Sequence, residues 1–157
     1  MMPEFGEISQ VAIVVKDMWK TVKSYHELFG WKPWNIYICK PPKHVDTYLH
    51  GKPVTYTMQI AETLVGSIGF EVIEPLEGPS IYKEFLQEKG EGLHHIACFK
   101  VTDYDKTVAA FAKKGVPVLM GGTIDGLRYC YVDAIPSLKV VLETGDAGSL
   151  KPDSTYP

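Results

Sequence analysis

The chain has 157 residues, 45% of them hydrophobic and 22% charged, with a formal net charge of −3 at pH 7 and one arginine, Arg128. This profile supports an ordinary globular core and excludes a disordered polymer, and it supplies no basic footprint for nucleic acid. There is no apolar run near the roughly 20 residues of a bilayer span, and "MMPEFGEIS" has neither the basic flank nor the apolar run of a leader, so a cytoplasmic protein acting on a small molecule is expected.

In chain order, "ISQVAIVV" (8–15) reads as a buried strand interrupted by one amide, Gln10. Asp17 offers an N-cap to a helix reaching about Phe29, with Met18, Val22, Tyr25 and Phe29 on one face and Gly30 as its stop. A strand around "PWNIYIC" follows, then a polar loop from Pro41 to Pro53 with His44 and His50 exposed, then strands "VTYTMQI" and "VGSIGFEVIE" divided by a turn near Glu62. Pro and Gly bracket a short linker helix beginning near Pro79. Beyond it come a strand in "LHHIACFKV", a helix in "DYDKTVAAFAKKG" and three strands in "VPVLMGG", "GLRYCYVD" and "LKVVLET". The closing "GDAGSLKPDSTYP" has no periodicity and reads as a tail. Cys39, Cys98 and Cys130 form no CxxC pair and read as reduced core thiols.

The second half repeats the first. Gln10 to Ile13 fall on His95 to Cys98 at an offset of 85, "KTV" returns at an offset of 86, and Gly30 matches Gly115 at 85. The expected architecture is a single α+β domain of two tandem βαβββ modules. Module one spans about 7–75, the linker helix about 76–91, module two about 92–145 and the tail 146–157.

The repeat places Gln10 and His95 at equivalent positions of the first strands, and each last strand carries one internal carboxylate, Glu71 or Glu143. Alternation along a strand puts Gln10 on the face of Ala12 and Val14, and Glu71 on the face of Gly69 and Ile73. An amide oxygen, an imidazole and two carboxylates converging in an apolar concavity suit a divalent metal. His94 alternates to the opposite face and reads as structural. Arg128 is a candidate anchor for a substrate carboxylate, or an ordinary surface arginine. Trp34, Tyr37, Tyr56 and Met58 are candidates for an apolar substrate wall, or plain core.

With "EGLHHIACFKVTD" and the longer "GFEVIEPLEGPSIYKEFLQEKGEGLHHIA", the chain resembles the vicinal oxygen chelate superfamily over about residues 7–145. That superfamily includes glyoxalase I, methylmalonyl-CoA epimerase, extradiol dioxygenases and bleomycin-type resistance proteins. The resemblance implies a curved sheet cupping a metal held by Gln10, Glu71, His95 and Glu143. The stretch from Phe70 to Ala97 is most similar to the epimerase branch, whereas the set Gln, Glu, His, Glu resembles the zinc-type glyoxalase I set. The arginine and asparagine with which glyoxalase I grips glutathione correspond here to Val14 and Pro75. The resemblance therefore implies an isomerase or lyase that moves a proton alpha to a carbonyl of a small oxygenated substrate through a metal-bound enolate. Glu143 is the first choice of base and Glu71 the second. Zinc is preferred over nickel, cobalt or manganese, and a homodimer is implied. Methylmalonyl-CoA epimerase, a metal-free binding protein and an iron dioxygenase are the alternatives.

Overall fold

In the computed structural model, which describes residues 1–157, β1 (Gln10–Val14) leads into α1 (Met18–Phe29). The Asp17 carboxylate accepts from the Lys20 amide, and Gly30 closes the helix at φ 69°, a left-handed conformation in which a Cβ is costly. β2 (Trp34–Cys39), β3 (His44–Leu49), β4 (Lys52–Pro53), β5 (Met58–Val65) and β6 (Ile68–Pro75) complete the first half. α2 (Ile81–Glu88), capped by the Ser80 hydroxyl, leads to β7 (Gly92–Cys98), α3 (Tyr104–Lys113), β8 (Val118–Ile124) and β9 (Leu127–Val132). The short α4 (Ile135–Leu138), β10 (Val141–Gly145) and β11 (Ser154–Tyr156) follow. No helix is long and apolar enough to cross a membrane.

All eleven strands join one mixed sheet in the order β11-β2-β5-β6-β1-β7-β10-β9-β8-β3-β4. Its centre is the antiparallel pair β1 and β7, flanked by parallel β6 and β10. The repeat is thus visible as two four-stranded halves, β2-β5-β6-β1 and β7-β10-β9-β8, and the fold is the expected curved α+β sheet.

Three stretches depart from the sequence reading. The Pro41–Pro53 loop contains β3 and β4, joined through His50 and Gly51 at φ 50° and 78°, the paired positive values of a tight hairpin turn. β3 leaves its own half and pairs with β8 at the far edge, so only long-range pairing defines it. The tail carries β11, which pairs with β2, and Asp153 just before it accepts from the Ile38 amide and from Lys43 Nζ. The turn expected near Glu62 lies at Gly66 and Ser67, with Gly66 at φ 63°, because the run Thr63-Leu64-Val65 continues β5.

The concave face buries Ala12, Val14, Cys39, Met58, Ile60, Ile73, Met120, Tyr129, Tyr131 and Val141 in the largest cluster. The convex face carries α1 over Ile13, Val15, Trp34, Ile36, Ala61 and Val72, and a cluster of Phe111, Cys130, Val132, Ala134 and Leu142 on the α3 side. All three cysteines are free and buried.

Trp34 corrects the expected substrate wall. It lies three residues from Tyr37, so strand alternation puts the two on opposite faces, and Trp34 is fully buried under α1 with its indole N–H bonded to Trp31 O at 2.9 Å. Trp34→Ala is expected to lower unfolding free energy by roughly 3–5 kcal/mol while leaving ligand affinity within twofold, as checked by denaturant titration and calorimetry.

Candidate metal and substrate site

Gln10 opens β1 beside Gly69 of β6 and opposite Ala97 of β7, which sets its side chain between the two halves on the concave face. Its Nε2 donates to Glu71 Oε2 at 3.0 Å and, through a short bond, to Glu62 Oε2. Both N–H bonds of the amide are therefore used, and Oε1 is buried with no partner. His95 Nε2 lies 2.8 Å from Glu143 Oε2 and 3.8 Å from Glu71 Oε1. The 2.8 Å approach lacks hydrogen-bond geometry, and both of its atoms are also buried without partners. Ligand atoms of Glu71, His95 and Glu143 all fall within 4.8 Å of one another, an arrangement able to hold a metal ion.

Burial fixes the charge states. It raises Glu143 from its ordinary 4.5 to about 8 and lowers His95 from 6.5 to about 3, because a low-dielectric site disfavours either charged form. Glu71 is raised well above the carboxylate range by burial, then by Glu143 and Glu62. Orphaned lone pairs on Gln10, His95 and Glu143 are costly unless a cation shares them. The donor set therefore fits a divalent ion.

Two residues beside these ligands depart from the sequence reading, Glu62, read as the place of a turn, and His94, read as structural on the opposite face. Glu62 is the cross-strand partner of Glu71, lines the cavity, and is raised by burial against its bond to Gln10. Gly69 leaves room for it, since a Cβ there would meet Glu62 Oε2 at 2.9 Å. The alternation Met58-Ile60-Glu62 is its signal, hidden when the turn is read four residues early. His94 is the second. The register jumps from Ala12↔His95 to Ile13↔Leu93 and leaves His94 as the extra residue of a bulge. Instead of pointing away, its Nδ1 lies 2.8 Å from His95 Nδ1. A proton on His95 Nδ1 donated to His94 Nδ1 would leave His95 Nε2 a bare lone pair, the state a metal ligand requires.

A cavity of about 280 Å³ opens on this cluster, and Gln10, Glu62, Glu71 and Glu143 all line it. Tyr37 and Met58 line it too. Tyr56 is buried beneath it, with its hydroxyl 3.0 Å from Gly121 O and 2.5 Å from Tyr129 OH, which makes it core. His44, expected exposed, is buried against the same phenols, Nε2 to Tyr129 OH at 2.7 Å, while His50 is exposed and pairs with Glu84. Arg128 reaches only the rim. Its guanidinium makes two bonds to Asp146 and one to Asp105, each 2.9 Å, and lies over Tyr104. With its charge already matched by two carboxylates, it is a poor anchor for a third from a substrate.

A curated relative is the uncharacterized protein YqjC of Bacillus subtilis (strain 168), 43% identical over 51 residues, or 32% of this chain; the match spans about a third (36%) of that relative's length. Among solved structures, hypothetical protein BH1468 from Bacillus halodurans C-125 matches with a TM-score of 0.67 at 19% identity, covering 94% of this chain and 98% of its own. Methylmalonyl-CoA epimerase from Mycobacterium tuberculosis matches at 0.59 and 17%, covering 90% and 88%. A variant of the Streptomyces coelicolor methylmalonyl-CoA epimerase in complex with 2-nitronate-propionyl-CoA matches at 0.59 and 22%, covering 94% and 99%. At these identities the likeness is one of fold. A family model described as Glyoxalase/Bleomycin resistance protein/Dioxygenase superfamily matches residues 9–131, from the strand that carries Gln10 to the strand that carries Tyr131, and the chain belongs to that superfamily.

Proposed function

We propose that this chain is a divalent-metal-dependent enzyme of the glyoxalase and epimerase type, moving a proton alpha to a carbonyl of a small oxygenated substrate. One observation carries the reading: ligand atoms of Glu71, His95 and Glu143 lie within 4.8 Å of one another, and beside them Gln10 presents a buried amide oxygen that, like His95 Nε2 and Glu143 Oε2, has no partner. Gln10, Glu71, His95 and Glu143 would hold the ion, with zinc preferred for this nitrogen and oxygen set. When bound, it supplies a Lewis acid that stabilises negative charge developing on a carbonyl oxygen.

The chain's own groups handle the proton. Burial makes Glu143 a strong proton acceptor for a carboxylate, and it is the first choice of base, with Glu71 second. The Tyr131 hydroxyl beside Glu143 opposes part of that rise. Tyr131 faces Glu143 across the β9–β10 pair as Glu62 faces Glu71 across β5–β6. Glu62, raised by burial, adds a second proton-holding group in the other half of the cup, able to donate its own proton to the substrate while Glu143 keeps the one it has removed. Met58, Ile60, Ile124 and Tyr129 give these groups apolar and aromatic surroundings.

The test is proton exchange into deuterated water, followed by NMR over a panel of alpha-hydroxy and alpha-keto carbonyl compounds. Exchange is expected with metal-loaded protein, lost after EDTA and restored on add-back. Glu62→Gln is expected to slow it about a hundredfold with metal content unchanged. Full exchange by Glu143→Gln with metal still bound would refute the choice of base, and absence of stoichiometric metal would refute the enzyme reading.

A further inference from the structure

The cavity has an uneven charge lining. Four carboxylates face it, from Glu62, Glu71, Glu143 and Asp146, against one cation, Arg128, and no lysine. Arg128 is already paired with Asp146 and Asp105. The next cation, Lys43, lies over the Tyr37 ring but is committed to Asp153 at 2.8 Å. A divalent ion would cancel two of the inner carboxylates and leave no positive charge for an anionic substrate, whose burial here would be uncompensated.

The chain beyond β10 adds a limit on size. From Asp146 it runs to β11, which pairs with β2 on the far side of β1, so the segment spans the cup. Gly148, Ser149 and Leu150 form part of the cavity wall, and Leu150 packs on the concave core. The strap is tied at both ends by acid–base pairs, Asp146 with Arg128 and Asp153 with Lys43. What remains is about 280 Å³, walled by Tyr37, Met58, Phe99, Leu127 and Tyr129, at the small end of ligand sites.

We infer that this cavity takes a small uncharged molecule with two adjacent oxygens beside an aromatic or apolar group, and discriminates against anionic substrates, coenzyme A thioesters included. The two adjacent oxygens rest on the metal reading above; the charge and size selection rests on the cavity lining alone.

The experiment is calorimetric titration of the manganese-loaded and the chelator-treated protein with 1-phenyl-1,2-propanedione, phenylpyruvate and propionyl-CoA. The first two are of similar size and carry adjacent oxygens, and they differ in charge. The dione is expected to bind loaded protein at least tenfold more tightly than either anion. The double variant Asp105→Asn, Asp146→Asn frees the guanidinium and is expected to strengthen phenylpyruvate binding alone; Asp105→Asn by itself serves if the strap loosens. Equal or tighter binding of phenylpyruvate or propionyl-CoA to the unaltered protein overturns the inference, as does binding of none of the three. Preference for the dione that persists in chelator-treated protein upholds the charge selection and refutes the metal reading. Metal-dependent binding that favours the anion does the reverse.

Discussion

His95→Ala is expected to weaken divalent-metal affinity by roughly a hundredfold or more, read by competition with a chromophoric chelator, and to abolish exchange activity. Of the four candidate ligands, His95 alone offers nitrogen, and burial keeps it neutral with a lone pair available at neutral pH. Its ring is held by contacts independent of any ion: Nδ1 lies 2.8 Å from His94 Nδ1, and the ring makes a T-shaped contact with Tyr131 at 4.9 Å between centroids. That support gives a second, smaller prediction. His94→Phe removes the Nδ1 partner while keeping an aromatic ring, and is expected to cost about ten- to a hundredfold in metal affinity with unfolding temperature changed little. If His95→Ala bound metal as tightly as the unaltered protein, the four-strand site would be refuted, since the remaining carboxylates would then suffice.

The parts of this architecture legible in the sequence are those written locally. Asp17 and Gly30 cap α1 as their chemistry dictates, and the repeat at an offset of 85 returns as two equivalent four-stranded halves of one sheet. What escapes a sequence reading depends on distant pairing or on irregular backbone. β3 exists because β8 at the far edge accepts it, and β11 because β2 does; neither has enough local alternation to declare itself. Alternation puts His94 on the wrong face because it holds only until a bulge, and nothing in "LHHIAC" announces one. Glu62 is lost to a turn read too early, although Gly66 is the residue with the required freedom. Arg128 shows a different gap. Its candidate role is sound chemistry for an isolated guanidinium, and only the fold shows Asp105 and Asp146 already filling it.

Metal-free protein is expected to be most stable between about pH 4.5 and 6.5 and to lose stability on both sides. Glu143 has a folded pKa of about 8 against 4.5 ordinarily, so above pH 4.5 the unfolded chain releases its proton first and folding must retain it. That cost grows until pH passes about 8, on the order of 5 kcal/mol in all, and Glu71, raised in the same direction, adds to it. His95 works oppositely. It stays neutral down to about pH 3 when folded but charges near 6.5 when unfolded, so its stability contribution falls away as pH drops below 6.5. Between the two limits the slopes oppose each other. Glu143→Gln keeps a polar group of the same shape without a charge, and is expected to raise the unfolding temperature of chelator-treated protein at pH 8 by about 5–10 °C. The same variant should gain less stability from added zinc or manganese and lose the pH dependence of that gain, whereas the unaltered protein should gain more at pH 8 than at pH 6, because ligation draws the proton from Glu143. A metal-free protein equally stable at pH 6 and 8.5 would show that the Glu143 charge is compensated by the protein itself. The partnerless atoms of Gln10, His95 and Glu143 would then be a feature of packing and not a socket for an ion.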